Sequence, residues 1–189
     1  VMRTILLVLS GPSGVGKGTI VNYLLEEDNT LVKSVSCTTR APREGELNGR
    51  EYFFISEREF RSRIEENDFL EYDEHFGNFY GTPRSFVERQ LKEHSVILEI
   101  DVVGALNAKR LMPDETVLVM IAPPSMEELE KRLAGRGSES DAEREDRLRR
   151  VRYELEQSDL YDYVLVNEDS RETKSKILEI IRREKEKKI

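Results

Sequence analysis

Seven residues near the start of the chain, GPSGVGK, have the types and spacing of a phosphate-binding loop. A glycine, four residues, a second glycine and a lysine predict a backbone that surrounds a phosphate chain. The glycines let successive N–H groups converge on phosphate oxygens, and the start of the following helix adds positive potential. Lys17 supplies a full charge for the β and γ phosphates. We therefore predict a nucleoside-triphosphate site formed by Gly11, Pro12, Ser13, Gly14, Val15, Gly16, Lys17, Gly18 and Thr19.

One position departs from the usual form of this loop. Gly18 occupies the place where a serine or threonine usually binds Mg²⁺, and Thr19 follows one residue later. The sequence therefore leaves the direct metal ligands open. Glu99 and Asp101, at the end of an apolar run, are candidates to meet Mg²⁺ through water. For Glu99, an ordinary sheet residue is the alternative.

A second set of candidate groups begins with Arg40 and Arg43, three residues apart across Pro42. The proline keeps this stretch extended or turned, so both guanidinium groups can point at one anion. Two solvated loop arginines are the alternative if the pair is considered alone. Taken alone, Glu71 is likewise more simply a surface carboxylate.

Arginines are also concentrated between residues 132 and 152, where the chain has seven. Many of them are expected to be solvated helix charges balanced by neighbouring acids. Within this region, LAGRGSESDAERED, Leu133 to Asp146, is polar and contains glycines between two helical patterns. We interpret it as a mobile flap, because glycine on both sides of Arg136 gives the backbone freedom there.

Apolar runs of strand length recur along the chain, and they must position these groups. Each run is followed by a segment of helical period, which predicts βα units on a parallel sheet. The runs are Ile5–Leu9, Val96–Ile100, Val117–Ile121 and Tyr163–Val166. Helix starts are predicted where an oxygen-bearing N-cap residue has a glutamate three positions later, at Ser56, Ser125 and Asp169.

Residues 34–82 have a different pattern, with short β-like pieces around one short helix. The pieces are Ser34–Thr38, Tyr52–Ile55 and Phe69–Tyr72. We interpret this region as a small mixed α/β substrate-binding insert. The predicted organisation is a phosphate-loop core of residues 1–33 and 83–189, the insert of residues 34–82, and a lid within about 133–146.

At these residues the sequence resembles the guanylate kinase family along nearly all its length. The matching strings are GPSGVGKGT, SVSCTTRAPREGE, NGREYFF, FGNFYGTP, ILEIDVVGA, IAPPS, RLAGRG and YVLVNED. The resemblance implies phosphoryl transfer from ATP to GMP, with Mg²⁺, as part of purine nucleotide metabolism. It also implies an α/β phosphate-loop fold: a central parallel sheet flanked by helices, a GMP-binding insert and an arginine-bearing lid.

The resemblance also implies roles for individual residues. Those that would hold the GMP phosphate are Arg40, Arg43, Tyr52 and Tyr80, and those that would surround the guanine are Ser36, Glu71, Thr82 and Asp101. Guanine presents N1–H and an exocyclic NH₂ side by side, and one carboxylate can accept from both, so Glu71 is the expected specificity residue. Catalytic charge on the transferred group is expected from Lys17, Arg132, Arg136 and Arg147.

Two rival interpretations remain. A guanylate-kinase-like domain of a scaffold protein would keep the fold but bind phosphorylated peptides; the intact loop through Thr19 and the arginine-rich lid oppose it. Another small phosphate-loop kinase, such as an adenylate kinase, also carries Gly-Thr after the lysine. Glu71 and the long insert match oppose this second alternative.

The composition of the chain argues against several classes of protein. The 189 residues carry a net charge of -8, which opposes general nucleic-acid binding because that binding needs broad phosphate neutralisation. We expect no membrane anchor, since the longest apolar run is only of strand length, and no secretory signal ahead of Ile5. The single Cys37 favours a reducing, cytoplasmic location. Oligomeric state and tolerance of dGMP stay open.

Overall fold

The computed structural model describes residues 2–134 and 140–187, which form nine strands and seven helices. In chain order these are β1 Leu6–Ser10, α1 Lys17–Glu27, β2 Leu31–Lys33, β3 Cys37–Thr38, β4 Phe53–Phe54, α2 Glu57–Glu65, β5 Phe69–His75, β6 Asn78–Pro83, α3 Arg84–Gln90, β7 Ser95–Glu99, α4 Val102–Leu111, β8 Thr116–Ala122, α5 Met126–Ala134, α6 Asp141–Glu156, β9 Tyr163–Val166 and α7 Ser170–Glu186.

The larger sheet confirms the predicted parallel core. Its strand order is β2-β7-β1-β8-β9, and every pairing in it is parallel. All five residues of β1 are buried, because helices cover both faces of the sheet. One cluster packs α1 and α7 against one face, and a second packs α3 and α4 against the other. Strand β2 was not predicted, since three residues are too few to produce a recognisable apolar run.

The predicted helix starts are confirmed by their hydrogen bonds. The Ser56 hydroxyl accepts from the Glu59 N–H at 3.1 Å, and the Ser125 hydroxyl accepts from the Glu128 N–H at 3.0 Å. The Asp169 carboxylate accepts from the N–H groups of the first turn of α7. These bonds satisfy backbone donors that have no partner within a helix.

The predicted flap, Leu133–Asp146, is more helical than expected. Its first two residues end α5, and its last six begin α6. Ser140 and Glu143 form a reciprocal capping box that starts α6, an N-cap signal that the sequence analysis did not use. Residues 135–139 lie outside the described residues.

Residues 37–83 form a second sheet of order β4-β3-β6-β5. Strand β5 continues to His75, three residues beyond the predicted end, and a tight turn leads into β6. The core of this insert is small and largely aromatic, with Cys37, Phe60 and Phe69 buried. Phe60 stacks between Phe69 and Phe79, at centroid distances of 4.4 and 5.1 Å.

The second sheet packs against a helix of the larger sheet where β5 meets α4. The Asn107 side chain of α4 donates a hydrogen bond to the Leu70 carbonyl of β5. Next to this contact, Glu71 of β5 lies against Gly104 in the first turn of α4. Among the helices within residues 2–134 and 140–187, none combines the length and apolarity needed to cross a bilayer.

Candidate active site

The phosphate loop connects β1 to α1, and the side chain of Asn167 is hydrogen-bonded to the backbone of this loop. The Asn167 amide donates to the Val15 carbonyl at 2.7 Å, and the Thr173 hydroxyl donates to the Asn167 side-chain oxygen at 2.8 Å. Gly16 has φ of 100°, and a Cβ there would approach the Asn167 amide nitrogen to 2.7 Å. Only glycine therefore fits the end of this loop, and the buried amide sets its shape.

The start of α1 is built to receive an anion. Gly16 at the N-cap contributes no side-chain hydrogen bond, and the first turn of α1 has no acidic residue. The first N–H groups of the helix and its positive dipole end thus face the loop. Lys17, the first helical residue, donates one hydrogen bond to the Gly11 carbonyl. An ammonium has three donors, so two more can bind phosphate oxygens.

A cleft of about 630 Å³ opens in front of this loop. Besides the loop it is lined by three carboxylates and three cationic side chains: Glu99, Asp101, Glu154, Lys17, Arg147 and Arg150. Of these cations, Arg150 forms ion pairs with two of the carboxylates, Asp101 and Glu154.

Burial and charge act in opposite directions on Lys17. Burial lowers its pKa, while the carboxylates of Glu99, Glu154 and Asp101 act to raise it. Glu154, only 9% exposed, has its pKa raised by burial. These carboxylates favour the charged form of the lysine that phosphate binding requires.

Arg150 and Glu154 are site residues that the sequence analysis missed. The Arg150 Nε donates to Glu154 at 3.1 Å, and its Nη2 lies 3.9 Å from Asp101 Oδ2. A usable signal was present: positions 147, 150 and 154 lie on one face of α6 by helical spacing. This spacing was overlooked because the region contains many other arginines.

In the insert, Arg40 is fixed in position by Glu46, which the sequence analysis also missed. Two guanidinium nitrogens of Arg40 bind the two oxygens of Glu46 at 2.8 and 3.0 Å. The same carboxylate accepts from the Arg43 backbone N–H at 2.7 Å. These hydrogen bonds raise the pKa of Arg40 and lower the pKa of Glu46 to about 2.

Two predicted phosphate-binding tyrosines lie beside this arginine. The Arg40 guanidinium is 5.3 Å from the centroid of the Tyr52 ring, and the Tyr52 and Tyr80 rings are 5.9 Å apart. The structure thus brings together Arg40, Tyr52 and Tyr80, and it places Arg43 on the same turn through its backbone bond to Glu46.

The predicted guanine-reading residues meet where the insert contacts α4. The Thr82 hydroxyl donates to Glu71 Oε1 at 2.8 Å, across the antiparallel β5–β6 pair. Because Cys37 pairs with Gly81, Ser36 comes next to Thr82 at the same end of the sheet. Burial raises the pKa of Glu71 to about 7, and Asp101 and Asp73 act in the same direction while the Thr82 hydrogen bond opposes them.

Asp101 belongs to both parts of the site. It borders the cleft in front of the phosphate loop, and it also borders a second cavity of about 520 Å³ that Glu71 lines. Its Oδ1 accepts from the Gly104 N–H at 2.8 Å, which caps α4. One carboxylate, held by the start of α4, therefore borders both the loop cleft and the cavity of Glu71.

The three arginines predicted to stabilise the transferred group have different positions. Arg147 lines the cleft, on α6. Arg132, on α5, lies 3.5 Å from Glu128 of the same helix. Arg136 lies outside the described residues.

The candidate metal residues fit an ion held mostly by other ligands. Within residues 2–134 and 140–187, no group of three or more acidic, histidine or cysteine side chains is arranged to hold a metal. Glu99 and Asp101 do line the phosphate cleft. Mg²⁺ commonly uses one or two carboxylates together with substrate phosphates and water, and this pair fits that role.

Comparison with known proteins gives a consistent result. The family model described as guanylate kinase matches residues 2–184. A guanylate kinase of Wolbachia sp. subsp. Brugia malayi is 47% identical over 182 residues, which cover 96% of this chain and 93% of the relative. A guanylate kinase of Clostridioides difficile is 46% identical over 188 residues, covering 99% and 91%. The crystal structure of guanylate kinase from Anaplasma phagocytophilum superposes with a TM-score of 0.73 at 41% identity, covering 98% of this chain and 88% of that one.

Proposed function

The chain belongs to the guanylate kinase family, and we propose that it transfers the γ-phosphoryl group of ATP to GMP, giving ADP and GDP. The observation that carries this proposal is the position of Asp101, shared between the phosphate-loop cleft and the cavity of Glu71. A donor phosphate on the loop and a base at Glu71 would thereby lie on opposite sides of one carboxylate.

For the donor, the backbone of the phosphate loop and the start of α1 bind the β and γ phosphates of ATP. Lys17 follows these phosphates as they separate. Charge on the transferred group spreads over three oxygens, so several cations share its stabilisation. Arg147 and Arg150 already face the cleft from α6. Mg²⁺, held by the phosphates and through water by Glu99 and Asp101, would neutralise part of this charge.

For the acceptor base, Glu71 accepts from guanine N1–H and the exocyclic NH₂. Adenine has no such pair of donors, so a partly buried carboxylate would be left unpaired against it, and AMP is rejected. Thr82 already donates its single hydroxyl proton to Glu71. Ser36 is therefore the hydroxyl that donates to guanine O6, and Thr82 orients the carboxylate.

For the phosphate of GMP, the hydrogen bonds of Arg40 indicate which edge of its guanidinium group would bind the phosphate. Its two Nη atoms bind Glu46, and Nη1 also donates to the Ala41 carbonyl at 3.0 Å. A guanidinium has five donors, and these three hydrogen bonds leave two, Nε–H and one Nη2–H, for the phosphate and for Tyr80, which is a further hydrogen-bond partner of Arg40. Arg43, Tyr52 and Tyr80 complete this subsite.

Closure brings the remaining groups to the phosphates, because an open cleft would let water compete with GMP. The moving parts are the insert of residues 34–82 and the lid within about 133–146. Arg132 and Arg136 would reach the phosphates only on closure. Hydrogen exchange in the lid should slow only with both nucleotides bound; equal protection in the free, GMP-bound and doubly bound protein would contradict closure.

A coupled assay of ADP release tests the function. With ATP and Mg²⁺, GMP should support rapid turnover, and AMP, UMP and dTMP should not. Turnover of AMP in preference to GMP would favour another nucleoside monophosphate kinase, and phosphopeptide binding without turnover would favour a scaffold domain. We assign the activity to purine nucleotide metabolism and expect it in the cytoplasm, consistent with a single buried thiol.

A further inference from the structure

Gly104 lies in the first turn of a helix, and its backbone conformation does not require glycine. It is the third residue of α4, whose N-cap is Asp101. In a helix interior, glycine costs roughly 0.5–1 kcal/mol relative to alanine, so alanine would be the stabilising choice. Its motif, ILEIDVVGA, contributed to the family resemblance, but Gly104 has no role in the proposed function so far.

The surroundings of Gly104 explain the missing side chain. A Cβ built at Gly104 would lie 3.0 Å from both Cβ and Cγ of Glu71, and 3.2 Å from Asp101 Oδ1. Ordinary carbon–carbon contacts lie at about 3.5–4.0 Å. The methylene stem of Glu71 therefore rests directly on the backbone of α4, in space that any other residue would occupy.

This contact and one hydrogen bond together define the position of the Glu71 carboxylate. The stem is limited on one side by Gly104, and Oε1 is bound by the Thr82 hydroxyl at 2.8 Å. The same glycine donates its N–H to Asp101, so its backbone contacts two of the three carboxylates that line this cavity, Glu71 and Asp101, the third being Asp73. The backbone of Gly104 limits movement of the stem toward α4, and the Cβ of Glu71 is attached to strand β5.

We propose that Gly104 is a specificity-determining position, because its missing side chain lets Glu71 sit where one carboxylate reaches two adjacent donors of guanine. Gly104 acts through Glu71 and is a positioning residue. The inference rests on the proposed function. A shift of a few tenths of an ångström favours one of the two hydrogen bonds at the expense of the other, since both must be short at once.

IMP tests the two hydrogen bonds to Glu71 one at a time. Its base, hypoxanthine, keeps N1–H and O6 but lacks the exocyclic NH₂. Steady-state rates with GMP and with IMP at saturating ATP give the ratio of the two kcat/KM values. In Gly104→Ala this ratio should fall about tenfold, the scale of one hydrogen bond to a charged group. The loss should appear in kcat/KM for GMP, and KM for ATP should stay unchanged.

Two controls separate positioning from general damage to α4. Ala108→Gly, in the same helix and also buried, should lower Tm but keep the GMP-to-IMP ratio. In a Glu71→Gln background, Gly104→Ala should produce little further change in that ratio, because the carboxylate through which it acts is gone. Equal effects of Gly104→Ala with and without Glu71 would overturn the proposal.

A measurement on the unmodified protein covers the case in which Gly104→Ala does not fold. With GMP bound, nuclear Overhauser contacts should join the Gly104 Hα protons to the Glu71 side-chain protons. Loss of these contacts on GMP binding overturns the inference. If the unmodified protein does not phosphorylate GMP, the proposed function fails. If it does, and folded Gly104→Ala keeps the normal ratio, only the inference fails.

Discussion

The proposed donor and acceptor sites are built in contrasting ways. The phosphate loop presents backbone groups, and it extends from β1, whose residues are all buried in the aliphatic core of a five-stranded sheet. The base site presents side chains on short strands, supported by a core of three buried residues and their aromatic neighbours.

This difference follows from what each site must recognise. A triphosphate has the same shape in every nucleotide, so a rigid backbone cradle is sufficient to bind it. A base differs from other bases only in its donors and acceptors, so side chains must read it. We expect the donor site to depend on loop geometry and charge, and the acceptor site to depend on individual side chains and on local stability.

The largest effect is expected in the donor site, from Lys17→Ala. Removing a positioned charge that follows the transferred phosphoryl group should lower kcat by roughly 10²–10⁴, with a smaller change in KM for GMP. Single-turnover kinetics on the folded variant measure this. Lys92→Ala, at an exposed position outside the site, is the matched control and should retain activity. Near-normal turnover by Lys17→Ala would contradict the phosphate-loop assignment.

Phe60→Ala tests whether the acceptor site is separately supported. Phe60 is fully buried between two aromatic rings, and its truncation should cost about 3–5 kcal/mol of stability in the insert. GMP binding should weaken strongly while an ATP analogue still binds, as titration calorimetry can measure. Leu7→Ala, in the large sheet, should weaken both. Parallel loss of both ligands in Phe60→Ala would show that the two regions unfold together.

Glu71→Gln changes only the reading of the base. The carbonyl oxygen of glutamine can accept a hydrogen bond from one of the two guanine donors. Its NH₂ group then faces the other guanine donor, and two donors cannot bond to each other. We expect kcat/KM for GMP to fall by roughly 10–100-fold, the scale of a charged hydrogen bond, with little change for AMP. Glu74→Gln, exposed on the same strand, should behave as the unmodified protein. A Glu71→Gln protein with full GMP preference would show that another group reads the base.

The smallest predicted effect is in the pH dependence. Glu71 has a pKa raised to about 7, chiefly by burial, and only its ionised form accepts from both guanine donors. The ionised fraction increases with pH, so kcat/KM for GMP should rise as pH increases from 6 to 8 and level off above the pKa. GMP itself and other groups also titrate, so Glu71→Gln serves as the control. In that variant, kcat/KM for GMP should not show this rise between pH 6 and 8. The same rise in both proteins would show that a group other than Glu71 causes it.

Features built from neighbouring residues could be predicted. The strand, glycine loop and helix around Lys17 follow from one continuous pattern, and the N-caps at Ser56, Ser125 and Asp169 follow from spacings of three. The parallel sheet follows from repeated strand and helix periods. Boundaries were less accurate: β5 continues to His75 because it pairs with β6, and α6 starts at a local capping box that the sequence analysis did not use.

Contacts between distant parts of the chain could not be predicted in this way. Asn167 supports Val15 across 152 positions, and Arg150 approaches Asp101 from another helix. Neither pair has a local pattern, because the residues meet only after the sheet order and helix packing are set. Glu46, close to Arg40 in sequence, was missed because a charged loop residue gives no sign of its partner.

The sequence by itself determined the phosphate loop, the βα order and the kinds of side chain available to bind a nucleotide, since these depend on residue types within short segments. The tertiary structure decided which of those side chains act together. It partly buries Glu71, raises its pKa to about 7 and rests its stem on Gly104, which lies 33 positions later. Burial and close contact depend on packing between β5 and α4, and that packing exists only in the folded chain.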